Sequence, residues 1–261
     1  MTFYKYHGTG NDFILIDDRA NEVELTTKQI ADLCHRRFGI GADGLMLLRH
    51  ADGYDFRMVY YNSDGRESSM CGNGGRCLVA FAHSLGLVTT HASFIATDGP
   101  HTATIAPDGL ISLHMKDVAD VQINKEYTSL DTGSPHYILW VEDAQAADVF
   151  NEGKRIRYSD AFKPGGTNVN FVQQTKTGLH VRTYERGVED ETLSCGTGVT
   201  AAAIAATCTA TGTFKTNITT PGGQLAVAFT KNTPASAVDV VLTGPAVFVF
   251  KGEADIDRLA H

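Results

Sequence analysis

The stretch Cys71-Gly72-Asn73-Gly74 decides the fold, because it recurs 124 residues later as Cys195-Gly196-Thr197-Gly198. In both places a glycine-rich turn follows the cysteine and leads into an apolar, helix-like run. Each thiol is therefore predicted at the N-terminus of a helix, where unpaired backbone amides and the helix dipole favour a thiolate. Two such sulfurs in two similar halves indicate one site with two bases.

The repeat extends well beyond the cysteines. Residues 9 to 16 (TGNDFILI) align with residues 132 to 139 (TGSPHYIL) at an offset of 123, and Tyr61 aligns with Tyr184 at the same offset. After each predicted helix come a glycine turn and an alternating pair of strands. We therefore expect an α/β (α+β) chain with two homologous halves that arose by internal duplication and are joined near residues 116 to 130.

The helices at the two cysteines differ in polarity. The first is predicted over residues 72 to 85, closing at Gly86, and the second over residues 196 to about 210, closing at Gly212. The second helix contains no charged residue, yet it is shorter than the ~20 residues that a membrane span needs. It is therefore expected to be the buried axis of a domain. Strands are predicted over residues 102–105, 111–115, 225–229 and 238–242.

Composition limits the kind of partner. At 261 residues with 43% hydrophobic content, the chain is long enough to bury two ordinary cores. The net charge of -8 and the absence of a concentrated basic patch argue against nucleic-acid or membrane-surface binding and favour a small-molecule partner. The first residues contain no apolar segment typical of a signal peptide, so the chain is expected in the cytoplasm.

Cysteine spacing argues against a metal site. The five cysteines include no CxxC pair and no spacing typical of zinc, which indicates free thiols in a reducing compartment. Cys77 lies six residues beyond Cys71, about 240° around the helix, and Cys208 lies thirteen beyond Cys195, so neither can share the helix N-terminus. Cys34, Cys77 and Cys208 are therefore interpreted as packing residues.

Two further patterns favour ordinary structural roles. Residues 39 to 44 spell GxGxxG, but a helical run precedes them and a strand-like run follows, the inverse of a dinucleotide-binding fingerprint. We interpret Gly39 as the C-cap of the preceding helix, which is entered through Thr26 and Thr27. The acidic run of residues 189 to 191 is interpreted as a solvated charge run without chemistry.

A set of motifs follows in order along nearly the whole chain. They are His7-Gly8-Thr9-Gly10-Asn11-Asp12-Phe13, Gly39-Ile40-Gly41-Ala42-Asp43, Asn62-Ser63-Asp64-Gly65, Met70-Cys71-Gly72-Asn73-Gly74-Gly75-Arg76-Cys77, Thr167-Asn168-Val169-Asn170-Phe171, Tyr184-Glu185-Arg186-Gly187 and Ser194-Cys195-Gly196-Thr197-Gly198. This set resembles the diaminopimelate epimerase family, within the cofactor-independent epimerases and racemases.

The resemblance implies a fold and an activity. Each half would be a strongly curved, barrel-like sheet around a central helix, with the active site in the cleft between the halves. We expect residues 1–117 to form the N-terminal half and residues 118–249 the C-terminal half, with residues from about 250 to 261 packing back onto the first. The family interconverts LL- and meso-2,6-diaminopimelate on the lysine and cell-wall route, without a cofactor or a metal. Its members commonly form homodimers.

The two cysteines give this chemistry a physical account. Inverting a carbon without a redox step requires a base on one face and an acid on the other, and Cys71 and Cys195 meet that need. A thiol is a weak base toward a C–H bond, so the charge developing on the substrate carboxylate needs stabilisation. The amides of Gly72, Asn73, Gly196 and Thr197 are expected to bind that carboxylate. The resemblance implies that the remaining substrate groups are held by Asn11, Asn62, Asn168, Glu185 and Arg186, and that His136 and Glu185 either support the cysteines or help to orient the substrate.

Two departures and two rival functions remain open. Many family members carry Gln where this chain has Gly44, and Asn where it has Ser134. A proline or hydroxyproline racemase of the same architecture would carry the same two cysteines, but its monocarboxylate substrate would not use a distal clamp such as Arg186. A thiol redox sensor is the rival from another class, and the lack of a CxxC pair disfavours it.

Overall fold

The computed structural model describes residues 1 to 256. The chain separates into two compact units. Unit 1 comprises Met1–Leu113 and the C-terminal segment from Pro245, and unit 2 comprises His114–Gly244. The expectation that the C-terminus packs back onto the first half includes residues 257 to 261, which lie outside the described residues.

The elements alternate short helices with strands. From the N-terminus they are β1 (Thr2–Gly8), β2 (Asn11–Asp18), α1 (Thr27–Cys34), β3 (Gly44–Arg49), β4 (Phe56–Asn62), β5 (Glu67–Ser68), α2 (Gly72–Ser84), β6 (His91–Ala96), β7 (Gly99–Ile105) and β8 (Ile111–His114). There follow β9 (Val121–Ile123), β10 (Thr128–Asp131), β11 (Pro135–Trp140), α3 (Val149–Arg157), a 3₁₀ turn (Asp160–Phe162), β12 (Asn168–Thr175), β13 (Gly178–Glu185), β14 (Asp190–Thr192), α4 (Gly196–Ala206), β15 (Gly212–Thr220), β16 (Gly223–Lys231) and β17 (Val238–Gly244). The last strand, β18 (Val247–Glu253), pairs antiparallel with β1 in unit 1.

Strand pairing repeats from unit 1 to unit 2. In unit 1, β2 is parallel to β3, β3 is antiparallel to β4, and β4 pairs with β5 and, in parallel, with β6. In unit 2, β11, β12, β13, β14 and β15 pair in the same order and with the same directions. Antiparallel pairs β6–β7 and β15–β16 then follow α2 and α4 respectively. The predicted duplication and the α/β fold are therefore confirmed.

Unit 1 buries apolar side chains on both faces of its parallel strand pair. Ile14 and Ile16 of β2 share a buried cluster with Ile30 and Leu33 of α1. The α1 helix begins at a capping box on Thr26, as its Thr-x-x-Gln sequence predicts. On the opposite face β2 and β3 pack against α2. Each fully buried Ile or Leu contributes about 1.5–3 kcal/mol, so α2 is held by burial rather than by intrinsic helix propensity.

Unit 2 repeats the layering with a smaller central helix. Val149 and Ile156 of α3 form a buried cluster with Phe171 of β12 and Tyr184 of β13. The α4 helix packs against β10 to β13, β15 and β16, and its segment from Val199 to Ala205 is buried. The predicted buried axis is confirmed. Short alanine side chains allow strands to approach this helix on all sides.

Two predicted helix ends are wrong. The first helix ends at Cys34, and Gly39 is not its C-cap, because His35 adopts an extended conformation and the loop returns through Ile40 N–H to the Leu33 carbonyl (2.9 Å). The helix α4 ends at Ala206 rather than near residue 210.

The early end of α4 has a tertiary cause. Cys208 takes a left-handed conformation (φ 48°), and its carbonyl accepts a hydrogen bond from Lys231 Nζ at 2.7 Å. A cation from β16 thus binds the turn that directly follows the helix. The Cys208 side chain is exposed, so the interpretation of Cys208 as a packing residue is wrong.

Candidate active site

Cys71 is the N-cap residue of α2. Its backbone is extended (φ -108°, ψ 128°), its carbonyl accepts the Gly75 N–H at 2.7 Å, and its side chain makes no capping bond to the described part of the helix. The sulfur is half-buried. The predicted placement of this thiol beside the first amides of a helix is therefore what unit 1 shows.

A short hydrogen-bond chain fixes the surroundings of Cys71. Asn11 Nδ2 donates to Asp43 Oδ2 at 2.7 Å, which orients the Asn11 amide. Its Oδ1 then accepts from Asn73 Nδ2 at 3.2 Å and faces Cys71 Sγ at 3.7 Å. Unit 1 thus brings together Asn11, Cys71, Gly72 and Asn73 of the predicted residues. Asn62, at the end of β4, is exposed, and its N–H bonds to the carbonyl of Arg66 (3.0 Å).

Cys195 is the N-cap residue of α4 and repeats this geometry. Its backbone is again extended (φ -115°, ψ 111°), and its carbonyl accepts the Val199 N–H at 2.9 Å. The residue is 7% exposed, and its sulfur lies 3.4 Å from Thr197 Oγ1. Thr132 Oγ1 donates to the Thr197 carbonyl at 2.9 Å, which ties the repeated turn before β11 to the first turn of α4.

His136 is a buried, neutral imidazole. It is 1% exposed, and Asn170 Nδ2 donates to its Nδ1 at 3.1 Å, an arrangement that leaves the ring proton on Nε2. Asn170 is held in turn by Thr183 Oγ1, which donates to its Oδ1 at 2.9 Å. Burial, followed by the positive charge of Arg186, lowers the pKa of His136 to about 3. His136 therefore stays uncharged in the physiological pH range, and among the described residues its Nε2 has no hydrogen-bond partner.

The residues predicted to hold a distal carboxylate cluster at one end of β12 and β13. Arg186 donates its backbone N–H to Asn168 Oδ1 at 2.8 Å, and its guanidinium contacts Gly165 O (3.3 Å) and Ser134 Oγ (3.4 Å). Asn168 Nδ2 also donates to Ser134 Oγ at 2.9 Å. Ser134, one of the two departures, therefore joins Asn168 and Arg186. Glu185 accepts a hydrogen bond from Thr192 Oγ1 at 2.8 Å.

Gly44, the other departure, faces an occupied space. A Cβ atom at this position would lie 2.5 Å from Tyr60 Cε2 and 2.5 Å from the Tyr61 carbonyl oxygen. Tyr60 packs its ring edge-to-face against Phe13, with centroids 6.0 Å apart. A glutamine therefore cannot be placed at position 44 unless the Tyr60 ring and the Tyr61 backbone move.

Sequence reasoning missed several residues that shape the site. Glu191 and Glu189 were assigned to a solvated run, but Arg182 donates two bonds of 2.6 Å to Glu191, and Arg157 pairs with Glu189 at 3.0 Å. Glu189 also accepts the Gly187 N–H at 3.0 Å, which shapes the turn after Arg186. Asn170 was visible in its motif but carried no assigned role. Its role, to hold His136 through a hydrogen bond to Nδ1, is visible only in the structure.

Two negative findings concern the described residues only. Within residues 1 to 256, no group of three or more His, Cys, Asp or Glu side chains is arranged to hold a metal ion. Over the same residues, none of the helices combines the length and apolar character needed to cross a membrane.

Known proteins match this chain over nearly its full length. The family model described as diaminopimelate epimerase matches residues 3–120 and 128–249. The diaminopimelate epimerase of Flavobacterium psychrophilum is 53% identical over 254 residues, covering 96% of this chain and 99% of that protein.

Solved structures share the fold at low identity. A phenazine biosynthesis protein of the PhzF family from Bacillus anthracis aligns with a TM-score of 0.76 at 14% identity, covering 97% of this chain and 98% of that one. A probable proline racemase from Agrobacterium radiobacter aligns with a TM-score of 0.64 at 17% identity, covering 97% and 92%. These likenesses show the fold alone, whereas the family model and the 53% identity establish kinship: this chain belongs to the diaminopimelate epimerase family.

Proposed function

We propose that this chain is an isomerase that interconverts LL- and meso-2,6-diaminopimelate, as the names of its relatives indicate. The observation that carries the proposal is the equivalent position of the two cysteines. Cys71 and Cys195 are each the N-cap residue of the central helix in units whose strands pair in the same order. Such a reaction belongs to the lysine and cell-wall route.

The mechanism we propose uses two bases and no cofactor. One cysteine, as thiolate, removes the α-proton from one face of the substrate, and the other, as thiol, delivers a proton to the opposite face. Both units must therefore present their helix N-termini to one carbon. Each turnover exchanges the protonation states of the two sulfurs, so the reverse reaction uses the same groups in exchanged roles.

Backbone amides would stabilise the developing charge. The α-carboxylate gains negative charge as the proton leaves, and the N–H groups of Gly72, Asn73, Gly196 and Thr197 stand at helix N-termini that favour such a charge. Loss of a single oxyanion donor typically costs about 100- to 1,000-fold in rate. The neutral His136 would donate from Nε2 or orient a neighbouring group without adding a competing charge.

The distal end of the substrate would be held by the cluster on β12 and β13. Arg186 offers a planar fork for the second carboxylate, and Asn168, Ser134 and Glu185 surround its turn. We assign Asn11 and Asn62 to the substrate from the resemblance. A proline racemase has no second carboxylate to bind, so this cluster favours diaminopimelate. None of the five cysteines, which all lie among the described residues, forms a disulfide, and this fits our assignment of the protein to the reducing cytoplasm.

One isotope experiment tests substrate, reaction and mechanism together. Purified protein is incubated with LL-diaminopimelate in heavy water without added cofactor, and isomer composition and α-deuterium are followed from the earliest turnovers. Two bases predict that newly formed meso isomer carries solvent deuterium at one α-carbon, while residual LL isomer is labelled more slowly. Absence of isomerisation would remove the proposed function, and early product that retains the substrate's own proton would indicate a single base.

Substitution tests the two sulfurs. Cys71→Ser and Cys195→Ser should each abolish epimerisation, because serine is a far weaker acid than cysteine and cannot supply the anionic base. Cys208→Ser is the matched control, since that thiol is exposed and lies beyond the end of α4. A folded Cys208→Ser protein as inactive as Cys71→Ser would contradict the assignment.

We also propose that the chain forms a homodimer through β18. Its residues Val247, Phe248, Val249 and Phe250 are 42%, 50%, 50% and 44% exposed, so an edge strand presents four consecutive apolar side chains to solvent. Such an apolar edge is typically covered, and an identical strand from a second copy would bury the same side chains on both partners. Light scattering should give a dimer for the wild type and for the control Ile123→Lys, and a monomer for Val249→Lys. A monomeric wild type at micromolar concentration would refute this assembly.

A further inference from the structure

Arg76 is a cation enclosed within unit 1. It lies on the first turns of α2 and is 0% exposed. Its Nη2 donates to Asn73 Oδ1 at 2.9 Å and its Nη1 to the Gly72 carbonyl at 3.3 Å. Both acceptors are neutral, and among the described residues no carboxylate forms an ion pair with this guanidinium.

A buried charge without a counter-charge is expensive. The two hydrogen bonds to neutral carbonyl oxygens do not neutralise the charge, and among the described residues the Arg76 Nε has no hydrogen-bond partner. A guanidinium buried this deeply is normally paired with a carboxylate. Burial accordingly lowers the pKa of Arg76, whereas negative charge on the sulfur of Cys77 or Cys71 opposes that shift. A buried arginine at this position therefore favours an anion that forms close to it.

Three groups close to this end of α2 are candidates for that anion, namely Cys77, Asp12 and Cys71, and the first two can be excluded. Burial raises the pKa of Cys77 to about 12, so that thiol stays protonated. Asp12 on β2 is already paired with Lys5 and Arg36, at 2.7 Å each. Cys71 is half-buried at the open end of the helix and remains as the group that can become an anion.

We propose that Arg76 is a positioning residue for the epimerisation, supplying the buried counter-charge of the Cys71 thiolate and orienting the Asn73 amide beside it. The inference rests on the proposed function, since it assigns Cys71 an anionic state during turnover. Asn73 connects the two effects, because its Oδ1 faces Arg76 and its Nδ2 donates to Asn11 Oδ1 at 3.2 Å. In the thiol state Cys71 lies 3.7 Å from the same Asn11 oxygen.

The second half lacks this cation. Five residues after Cys195 stands Thr200, the counterpart of Arg76, and its Oγ1 donates to the Gly196 carbonyl at 2.9 Å. Both side chains thus bond the carbonyl four residues earlier on their helix, but only Arg76 brings a charge. The difference between Arg76 and Thr200 therefore gives Cys71 and Cys195 different electrostatic surroundings.

The strands that pack against α2 carry other ionisable groups. Each of them either has an ion-pair or hydrogen-bond partner of its own or is a phenol. Lys5 binds Asp12, Arg49 of β3 binds Asp18, His101 of β7 bonds Asp98, and the His7 Nδ1 accepts the Gly10 N–H. Tyr6 of β1 is a buried phenol whose pKa is raised by burial, Tyr4 is the second phenol of that strand, and Asp17 of β2 binds Arg19. A pH effect of Arg76 substitution is therefore assigned to Cys71.

The test is the protonation of Cys71 itself. The pH midpoint of iodoacetamide alkylation is measured by peptide mass spectrometry for Cys71 and Cys195 in the wild type, Arg76→Gln, Arg76→Lys and Thr200→Val proteins. Removing a close opposite charge should raise the Cys71 midpoint by about one pH unit or more in Arg76→Gln, whereas Arg76→Lys should stay near the wild type. The Cys195 midpoint in both variants, and the Cys71 midpoint in Thr200→Val, should not move.

Kinetics separate this role from a merely structural one. Arg76→Gln should lose about tenfold in kcat near neutral pH and recover part of that loss at higher pH, because a one-unit shift lowers the thiolate fraction tenfold. An unchanged Cys71 midpoint in Arg76→Gln, or an equal rise in Arg76→Lys, would overturn the inference.

A wild-type measurement covers the case in which neither variant folds. In an NMR pH titration of the wild type, the Arg76 Nε resonance should shift at the pH where Cys71 titrates, and it should show no such shift in Cys71→Ser. A wild-type resonance that does not shift at that pH would overturn the inference. If the wild type does not epimerise diaminopimelate, the proposed function fails, whereas the thiol titration still reports on Arg76.

Discussion

Acidification should destabilise unit 2 through His136. The imidazole is 1% exposed and bonded to Asn170, and burial, with the Arg186 charge as the next cause, lowers its pKa to about 3. In the unfolded chain a histidine has a pKa of about 6.5. Between these two values the unfolded state binds a proton that the folded state does not.

This difference in proton binding sets the sign and the size of the change in the free energy of unfolding. Stability that is present above pH ~6.5 is lost as the pH falls, because protonation then favours the unfolded chain. For these two pKa values, His136 alone should lower the free energy of unfolding by about 2 kcal/mol between pH 7 and pH 5. The loss continues down to about pH 3, where the folded state also takes up the proton.

The chain offers a local probe for this measurement. Trp140 is its single tryptophan, and it lies on β11 together with His136. Urea unfolding followed by tryptophan fluorescence therefore reports on unit 2. His136→Gln should be less stable than the wild type at pH 7, and the difference should narrow by about 2 kcal/mol at pH 5. His180→Gln, which removes a partly exposed histidine on β13, is the matched control.

An equal stability difference between His136→Gln and the wild type at pH 7 and pH 5 would refute the reasoning. It would mean that His136 gains its proton equally readily in the folded and unfolded states. The burial and the Asn170 contact would then not hold the ring neutral, and its proposed role as a neutral donor would also fail.

Three further substitutions have defined outcomes. Arg186→Lys should lose about tenfold or more in kcat/KM for LL-diaminopimelate, since charge-assisted bonds contribute on the order of 1.5 to 3 kcal/mol, and steady-state kinetics indistinguishable from the wild type would contradict the clamp. Gly198→Ala places a Cβ against Asn170 Oδ1 and 3.3 Å from Cys195 Sγ. It should lower the free energy of unfolding by about 1–3 kcal/mol and also lower kcat. In the control Gly75→Ala the new Cβ meets only the ends of side chains, so both effects should be small. Lys231→Met removes the cation at the end of α4 and should cost about 1–3 kcal/mol in urea unfolding with kcat unchanged, and a loss of activity without loss of stability would contradict that role.

Local signals predicted the parts of the fold that local chemistry determines. The capping box at Thr26 and the glycine turns after Cys71 and Cys195 mark helix starts without reference to the rest of the chain. The end of α4 was not predictable in this way. The run after Ala206 has residues that a helix tolerates, and the helix stops where Lys231, brought from β16, binds the Cys208 carbonyl.

In the candidate site, too, some residues could be predicted from local sequence and others depend on tertiary contacts. The two cysteines were predictable because a repeat and a helix N-terminus are visible in the sequence. Arg76 was not, because on a helical pattern it is simply a polar interruption, and only its complete burial makes it informative. The protonation of His136 is likewise a property of burial, and the packing of Tyr60 over Gly44 depends on a neighbouring strand.

The duplicated scaffold also explains why so few side chains needed to remain alike. In our proposal the α-carboxylate gains negative charge during the reaction, and backbone amides at two helix N-termini bind it. Backbone donors do not depend on side-chain identity, so only the cysteine and the glycines of the turn are required in both halves.

The other equivalent positions were then free to diverge. Arg76 stands opposite Thr200, and Asn62 stands opposite Glu185. In our proposals, the first difference gives the two sulfurs unequal electrostatic surroundings, and the second gives the substrate unlike contacts in the two halves. A pseudo-symmetric protein can in this way bind an extended substrate in one orientation while it keeps a base on each face of one carbon.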